Sequence, residues 1–558
     1  AYPKSVPAFP VIASALAQLS PDQLRNALRN FLPQNASPAE QVRAVEAALN
    51  SPTGQSLRDA MARWIVDEIV PVERLVPESY IKWRAPVRDC MIFVVSRIST
   101  VRLAPKLLEQ LELPSDTSPE TRLLRLIAKV PGLQKLGQVI ARNQHLRPAL
   151  RNALARLENG IRDVQPKEIR RIIEAQLADR LKNYEVKIAS TILSEASVSA
   201  VIRFTWRNPV THKREHGVFK VLKPHIPQYF AEDMEFLQAL ARHFGDRHHS
   251  YGFPRHLIPD TFNKVRRLLQ HEVDFAREQK TLVEAEKLYR SMADVRIPGL
   301  IKPLSTPTIT ALTEERGIKV TNAAARLPAA RRRRITEQLV EALIAVPLLS
   351  AQEDAIFHGD PHSGNLLYDS GTGTLTIIDW ALREHLSRNQ RRHLALLFLM
   401  LTLRDTVGVS HEILALSQDR VPERSSRVSA VRDLAATFLN ELPVNKFPSG
   451  ADTMKLLERV ALKGIKFPGS LVMLSKVMFT LDGILNDISA TDSGTGLTLA
   501  RHIAQRWITD RALFRSPLLT RDWITLQCSA LLYTGRLWLQ CEQAILDRVL
   551  PAAVGFTP

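Results

Sequence analysis

A chain of 558 residues, 45% of them hydrophobic, can bury more than one core, which excludes a single small domain and makes two or three the expectation. Three cysteines, Cys90, Cys528 and Cys541, show no CxxC spacing, which excludes a disulfide-rich scaffold and favours a reducing compartment. Residues 1–18 carry Lys4 as their one charge and lack the basic start and apolar core of a signal peptide, so a cytoplasmic protein is the default, while a net charge of +18 and a pI near 10.0 call for anionic partners: nucleotide phosphates, nucleic acid or an anionic membrane surface.

In chain order, Ser20-Pro21-Asp22 and Ser37-Pro38-Ala39-Glu40 are N-cap, first-turn proline and early-acid helix starts, and residues 1–117 read as all-helical. Ser118-Pro119-Glu120 opens a further helical stretch, residues 118–185, containing Lys135-Leu136-Gly137-Gln138. From Val186 the pattern turns β-like, with runs at Val186–Leu193, Val198–Trp206 and Gly217–Leu222. Helical periodicity returns at Phe230–Phe244 and at Thr261–Ser291. A strand-like run, Thr308–Thr313, then leads into Glu314-Glu315-Arg316-Gly317. From Ala325 onward everything reads as helical apart from one hairpin, and the apolar run Leu394–Leu403, about half the length needed to span a bilayer, reads as a buried helix. The pattern is an α+β, bilobal plan: a small β-rich lobe over 186–320 and a larger helical lobe over 321–558. No internal repeat is evident.

The hairpin carries the chemistry. His358-Gly359-Asp360-Pro361-His362-Ser363-Gly364-Asn365 places Asp360 and Asn365 five residues apart, the spacing of a kinase catalytic loop. Leu366-Leu367-Tyr368 and Leu375–Ile378 flank an Asp/Gly-rich turn, so Asn365 and Asp379 are expected side by side as Mg2+ ligands, with Asp360 facing the acceptor oxygen. A lone His-Gly-Asp is more often a simple turn; Asp, Asn, hairpin and Asp in register are not. The small lobe should add a lysine for the phosphates and a helix carboxylate. Lys220 lies in the strand Gly217–Val221 and Glu278 follows His271-Glu272-Val273-Asp274 in an acid-bearing helix, although a strand lysine taken alone is usually just solvated.

These motifs resemble the UbiB/AarF family of atypical, protein-kinase-like proteins, over about residues 120–490. Lys135-Leu136-Gly137-Gln138 matches its KxGQ signature and Glu272-Val273-Asp274 its ExD signature, Arg147-Pro148-Ala149-Leu150 through Glu174 resembles the helices that carry the first, and Leu474–Gly483 resembles a late family helix. The resemblance implies Asp360, Lys220 and Glu278 as catalytic residues, with Glu278 holding Lys220, and Asn365 and Asp379 as metal ligands. It implies nucleotide contacts from Lys220, Ala196 and Ser197, with Glu314 and Glu315 beside them, and a restraining element in which Lys135, Gly137 and Gln138 approach Glu272 and Asp274. The implied cofactors are ATP or ADP and Mg2+. The implied role is in ubiquinone or related isoprenoid-lipid metabolism, by ATPase or lipid-linked activity rather than general protein phosphorylation, with any contact with an anionic membrane peripheral.

Two departures bear on this. The alanine-rich loop reads Ser194-Glu195-Ala196-Ser197-Val198-Ser199-Ala200, with an acid for one alanine, which leaves ATP against ADP open; the metal-binding triplet reads Asp379-Trp380-Ala381 and has lost its glycine. No transmembrane hairpin is expected, because Arg536 interrupts the best candidate at Ile524–Leu539. Gly494-Thr495-Gly496 reads as a helix-start loop, and Asp246-Arg247-His248-His249 with His256 as a polar loop without metal-ligand spacing. Arg331–Arg334 reads as a solvated face, so no nucleic-acid partner is expected. Without the KxGQ resemblance, Gly137 reads as a turn between helices. Two rivals remain: a small-molecule phosphotransferase of the antibiotic-kinase type, and a non-catalytic nucleotide-responsive module.

Overall fold

The computed structural model describes residues 36–141 except 53 and 115, then 154, 164–418, 425–443, 447–488, 499, 501, 505 and 518–553. The expected features at Ser20–Asp22, Arg147–Leu150 and Gly494–Gly496 lie outside these residues. The chain divides into two compact units, Ala1–Phe275 with Ile301–Leu312, and Ala276–Leu300 with Thr313–Pro558.

The first unit begins with helices whose starts follow the sequence signals. Helix α1 (Pro38–Leu49) opens with a capping box in which Ser37 and Glu40 satisfy each other's free amides, and helix α2 (Gly54–Trp64) buries Leu57, Met61 and Trp64 beside it. Helices α3 (Arg84–Arg97) and α4 (Thr100–Glu112) add Val95, Leu103 and Leu107 to the same core. In α5 (Pro119–Ile127) the Ser118 hydroxyl accepts from the Thr121 amide at 3.3 Å. Helix α6 (Pro131–Ala141) contains Lys135–Gln138 within the helical stretch expected there and not the alternative turn at Gly137: the flanking Leu133 and Leu136 pack into the helical cores, and that burial outweighs the glycine's poor helix propensity.

After α7 (Pro166–Asn183) comes the sheet, β1 (Lys187–Glu195), β2 (Ser199–Arg207) and β3 (Arg214–Leu222), with β5 (Ile309–Thr313) on its far side in the order β1-β2-β3-β5. Strands β2 and β3 pair without a break from Ser199↔Leu222 to Arg207↔Arg214. Alternation sends Ile202, Phe204, Phe219 and Val221 into a core with Ile169, Ile173 and Leu177 of α7. Gly217 must be glycine here: an added Cβ would lie 2.5 Å from the Phe204 ring and 2.9 Å from the Leu312 carbonyl oxygen. Two helices complete the unit, α8 (His225–Asp246) and α9 (Leu257–Val273), which bury Leu237, Leu240, Val265 and Leu269.

The helical stretch expected over 261–291 is broken within the acid-bearing segment His271–Glu278. Asp274 leaves the helical region (φ −86°, ψ 76°), α9 ends at Val273, and α10 (Phe275–Tyr289) starts anew. Apolar periodicity persists through the break, which is why pattern alone does not mark it.

In the second unit, α10 is followed by β4 (Val295–Arg296) and β6 (Ile318–Lys319), two-residue strands too short to announce themselves. They flank the hairpin formed by β8 (Leu366–Asp369) and β9 (Thr374–Ile377), giving a sheet in the order β4-β9-β8-β6. From Ala325 onward the lobe is predominantly helical, as expected, and the described strands there add one further pair to the hairpin. Strand β7 (Asp354–His358) pairs antiparallel with β10 (Arg383–Ser387), from Asp354↔Ser387 to His358↔Arg383. Its segment Ala355-Ile356-Phe357 is buried, and a run of three apolar residues is too short to separate from a helix by period. Helix α11 (Ala329–Val340) carries Arg331–Arg334 in its first turns. Helix α12 (Arg388–Thr402) is the buried helix expected from the apolar run, and α13 (Gly450–Ala461), α14 (Gly469–Ile488) and α15 (Thr520–Ala553) follow.

Candidate functional site

The second unit positions the hairpin cassette through main-chain geometry. In β8 and β9, Leu366 faces Ile377 and Asp369 faces Thr374, so the two strand ends meet. The Ile378 amide then donates to the Asn365 carbonyl at 2.9 Å, which brings Asn365 and Asp379 to one end of the hairpin as the spacing predicts. Asp360 is fixed on both sides of its Cα: its amide donates to His358 Nδ1 at 3.2 Å, and its carbonyl accepts from the His362 amide at 2.8 Å and from Asn365 Nδ2 at 3.0 Å. Asp379 adopts a left-handed backbone (φ +59°) and is exposed, whereas Trp380 is fully buried. Aspartate tolerates this region better than most residues. Asp379 thus makes by itself the sharp turn for which a glycine seemed to be missing.

His358 ties these pieces together, a role its place in the motif did not announce. It is 1% exposed, and Nε2 lies 3.0 Å from the Ile378 carbonyl oxygen and 2.9 Å from that of Asp379. Both are acceptors, so Nε2 carries the proton and Nδ1, which accepts from Asp360, is bare. Burial lowers the histidine's pKa, against the raising effect of the Ile378 carbonyl bond and the two nearby carboxylates. The neutral ring, edge-on to Trp380 with 4.9 Å between centroids, is therefore a strut between the Asp360 and Asp379 segments.

Asn365 and Asp379 supply an amide and a carboxylate, a donor set that suits Mg2+, which binds through one or two carboxylates and completes its shell with water and phosphate oxygens. Among the described residues no group of three or more His, Cys, Asp or Glu could hold a metal unaided. The residue missed from sequence is Lys476 of α14, whose Nζ lies 2.9 Å from Asp360 Oδ1. A single cation on an amphipathic helix, 116 positions away, carries no local signal. Glu278, 2% exposed, is in the first turn of α10. Glu315 accepts from the Thr313 hydroxyl at 2.7 Å and lies 4.0 Å from Arg296, and half-buried Glu314 precedes it.

In the first unit, Lys220 faces Val201 across the sheet and its ammonium stands 5.3 Å from the centre of the buried Phe275 ring, next to Asp274 in sequence. The loop after β1 is turned back by a bond from the Ala196 amide to the Ser199 carbonyl at 2.8 Å. The acid found there in place of alanine has a partner that sequence did not suggest: Glu195 and Lys223 form a buried pair at 3.1 Å, with side chains 4% and 0% exposed. Lys135 forms an ion pair with Glu272 Oε1, and the Ser197 hydroxyl donates to Glu272 Oε2 at 3.2 Å. Glu272 so joins α6, α9 and the Ala196–Ser197 loop. The start of α6 is anchored by Asp233 of α8, whose Oδ2 accepts from the Gly132 amide at 3.0 Å while Oδ1 lies 2.7 Å from Arg102. Burial pushes the Asp233 carboxyl up, and Arg102 opposes that shift. Gln138, 9% exposed, is one of the buried polar residues of α6.

An Asp and an Asn five residues apart before a hairpin that ends in a second Asp, in one mostly helical unit, and a small antiparallel sheet bearing a lysine in the other, are the features of an atypical kinase-like protein. Residues 156–413 match the ABC1 atypical kinase-like domain, and that match, with relatives named UbiB and ACTIVITY OF BC1 COMPLEX KINASE, supports a likeness to the UbiB/ABC1 atypical kinase family over this region. It is 21% identical over 392 residues to "Probable protein kinase UbiB" of Haemophilus ducreyi, covering 69% of this chain and 70% of that one. It is 24% identical over 363 residues to "Protein ACTIVITY OF BC1 COMPLEX KINASE 7, chloroplastic" of Arabidopsis thaliana, covering 63% of this chain and 50% of the relative. The chain thus spans half the length of that plant relative, and 37% of a second one, ACTIVITY OF BC1 COMPLEX KINASE 1. Among solved structures, the Rv3197–erythromycin complex of Mycobacterium tuberculosis aligns at a TM-score of 0.44 with 16% identity, over 64% of this chain and 87% of that one.

Proposed function

We propose that this protein is an atypical kinase or ATPase that binds ATP or ADP with Mg2+ and transfers or hydrolyses the γ-phosphoryl group of ATP. The observation that carries the reading is the bond from Ile378 to Asn365, which sets the amide and carboxylate oxygens of Asn365 and Asp379 at one hairpin end, next to a main-chain-locked Asp360. Bound Mg2+ would neutralise phosphate charge as it develops. Asp360 orients the acceptor hydroxyl or water and takes its proton; Lys220 supplies a cation for the phosphates, and Glu278 a carboxylate. Ala196, Ser197, Glu314 and Glu315 contact the nucleotide.

The likeness to the family supports isoprenoid-quinone or other membrane-lipid metabolism as the proposed setting. No helix among the described residues is long and apolar enough to cross a membrane, and the net charge of +18 favours peripheral attraction to an anionic surface. The test is Mg·ATP turnover by the wild type and Asp360→Asn, with nucleotide binding followed separately by thermal shift. Turnover should fall by about 10²–10⁴-fold while binding persists. Equal loss of binding and turnover would make Asp360 structural. Isoprenoid-lipid profiling of a deletion strain tests the setting.

A further inference from the structure

We infer that Lys476 is a positioning residue for Asp360, supplied by a distant helix because the catalytic loop contains no cation of its own. The inference rests on the phosphotransfer reading above. Residues 358–365 include no lysine or arginine. Instead, the Lys476 ammonium stands 2.9 Å from Asp360 Oδ1, with the two side chains 27% and 19% exposed, close enough to solvent to be reached and buried enough for the pair to resist screening.

The helix that delivers Lys476 is itself fixed. Leu474, Val477, Met478 and Leu481 of α14 are buried around it, the Ser475 hydroxyl donates to Glu458 at 3.3 Å, and Gln390 of α12 donates to Ser470 at 3.2 Å. Asp360 is equally constrained in its main chain, by His358, His362 and Asn365. The lysine on Oδ1 bonds the carboxylate itself and so helps to set its orientation. A lysine packed on a rigid element holds such a group more tightly than one on the loop would.

With Oδ1 committed to Lys476, the acceptor's proton goes to Oδ2. The acceptor oxygen bonds to the γ-phosphorus, the bond from that phosphorus to the β–γ bridging oxygen breaks with its electron pair leaving on ADP, and the hydroxyl proton passes to Oδ2. Lys476 contributes orientation and stays protonated throughout. It is expected to act on kcat and not on nucleotide binding.

The experiment compares Mg·ATP turnover and Mg·ATP-induced thermal shift for wild type, Lys476→Met, Lys476→Arg, Asp360→Asn and the Asp360→Asn/Lys476→Met double variant, with Lys476→Gln as a second truncation if Met disturbs folding. Lys476→Met should lower kcat about 10- to 100-fold, the scale of one charge-assisted hydrogen bond, with KM for ATP within about twofold and the thermal shift retained. Lys476→Arg should recover most of the loss, and the double variant should be no worse than Asp360→Asn alone, because residues acting as a unit are not additive. An unchanged or raised kcat in Lys476→Met, a loss confined to KM, or an additive double variant overturns the inference while leaving phosphotransfer intact. A wild type that turns over no Mg·ATP overturns the functional reading, and this inference with it.

Discussion

The amide of Ile378 donates to the carbonyl of Asn365 at 2.9 Å, one residue before Asp379, and this bond closes the hairpin that gives the site its two oxygen donors. The pairing is made by backbone, so the side chains can be exchanged without dismantling it.

Asp379→Asn should therefore keep the fold and lose the metal. A ligand at about a hundredfold excess over its Kd stabilises the folded state by about 2.7 kcal/mol. For wild type that stabilisation by ATP should depend on Mg2+; in Asp379→Asn the Mg2+-dependent part should largely vanish. A thermal-shift titration with ATP, with and without Mg2+, reads it directly, and an undiminished Mg2+ effect would refute the metal role.

Gly359 is the second position where glycine is obligatory. Its amide donates to the Leu382 carbonyl at 2.9 Å, and an added Cβ would fall 2.9 Å from Leu382 Cγ and 3.1 Å from that carbonyl oxygen. Gly359→Ala must push β10 away from the loop that carries Asp360. A loss of about 1–3 kcal/mol in denaturant unfolding is expected, the usual cost of overpacking. Wild-type stability in that variant would contradict the contact.

His358 sets a pH dependence with a definite sign. Burial depresses its folded-state pKa, so below the unfolded value of about 6.5 the unfolded chain binds a proton that the native ring refuses. Stability is intact above about 6.5 and declines as pH falls from there toward the folded pKa. His358→Gln should be less stable at neutral pH, having lost the strut, yet show a flatter decline on acidification. Parallel melting-temperature curves for the two proteins between about pH 7 and pH 5 would overturn the assignment.

Much of this was legible in sequence where short-range chemistry decides the outcome. The Asp360–Asn365 spacing, the hairpin turn and the helix starts at Ser37 and Ser118 are all local. What escaped is non-local or too short. Lys476 and Lys223 become partners of Asp360 and Glu195 only through tertiary packing. β7 with β10 is a pairing between segments on either side of the hairpin, and the break at Asp274 occurs inside an unbroken apolar period. Gly137 stays inside a helix because burial of its neighbours outweighs its own propensity, so the alternative turn is not formed.

Glu272 connects three elements of the first unit, and the ion pair with Lys135 is the contact most open to test. Lys135 and Glu272 have side chains 13% and 23% exposed, α6 is held at its start by Asp233, and Ser197 takes the second carboxylate oxygen. Lys135→Met leaves Glu272 with Ser197, while Glu272→Gln keeps a hydrogen-bonding amide but removes the charge. Each should cost about 1–3 kcal/mol in denaturant unfolding, the range for losing a hydrogen bond to a charged group. Because the partners are in contact, the double variant should be less destabilised than the sum of the singles, with a coupling of about 0.5 kcal/mol or more. Because Ser197 is in the proposed nucleotide loop, both single variants should also alter the ratio of ATP to ADP affinity, measured by calorimetry on the whole chain. Purely additive stabilities would show that the pair contributes no coupling, and an unaltered ATP/ADP ratio would confine Glu272 to holding helices together.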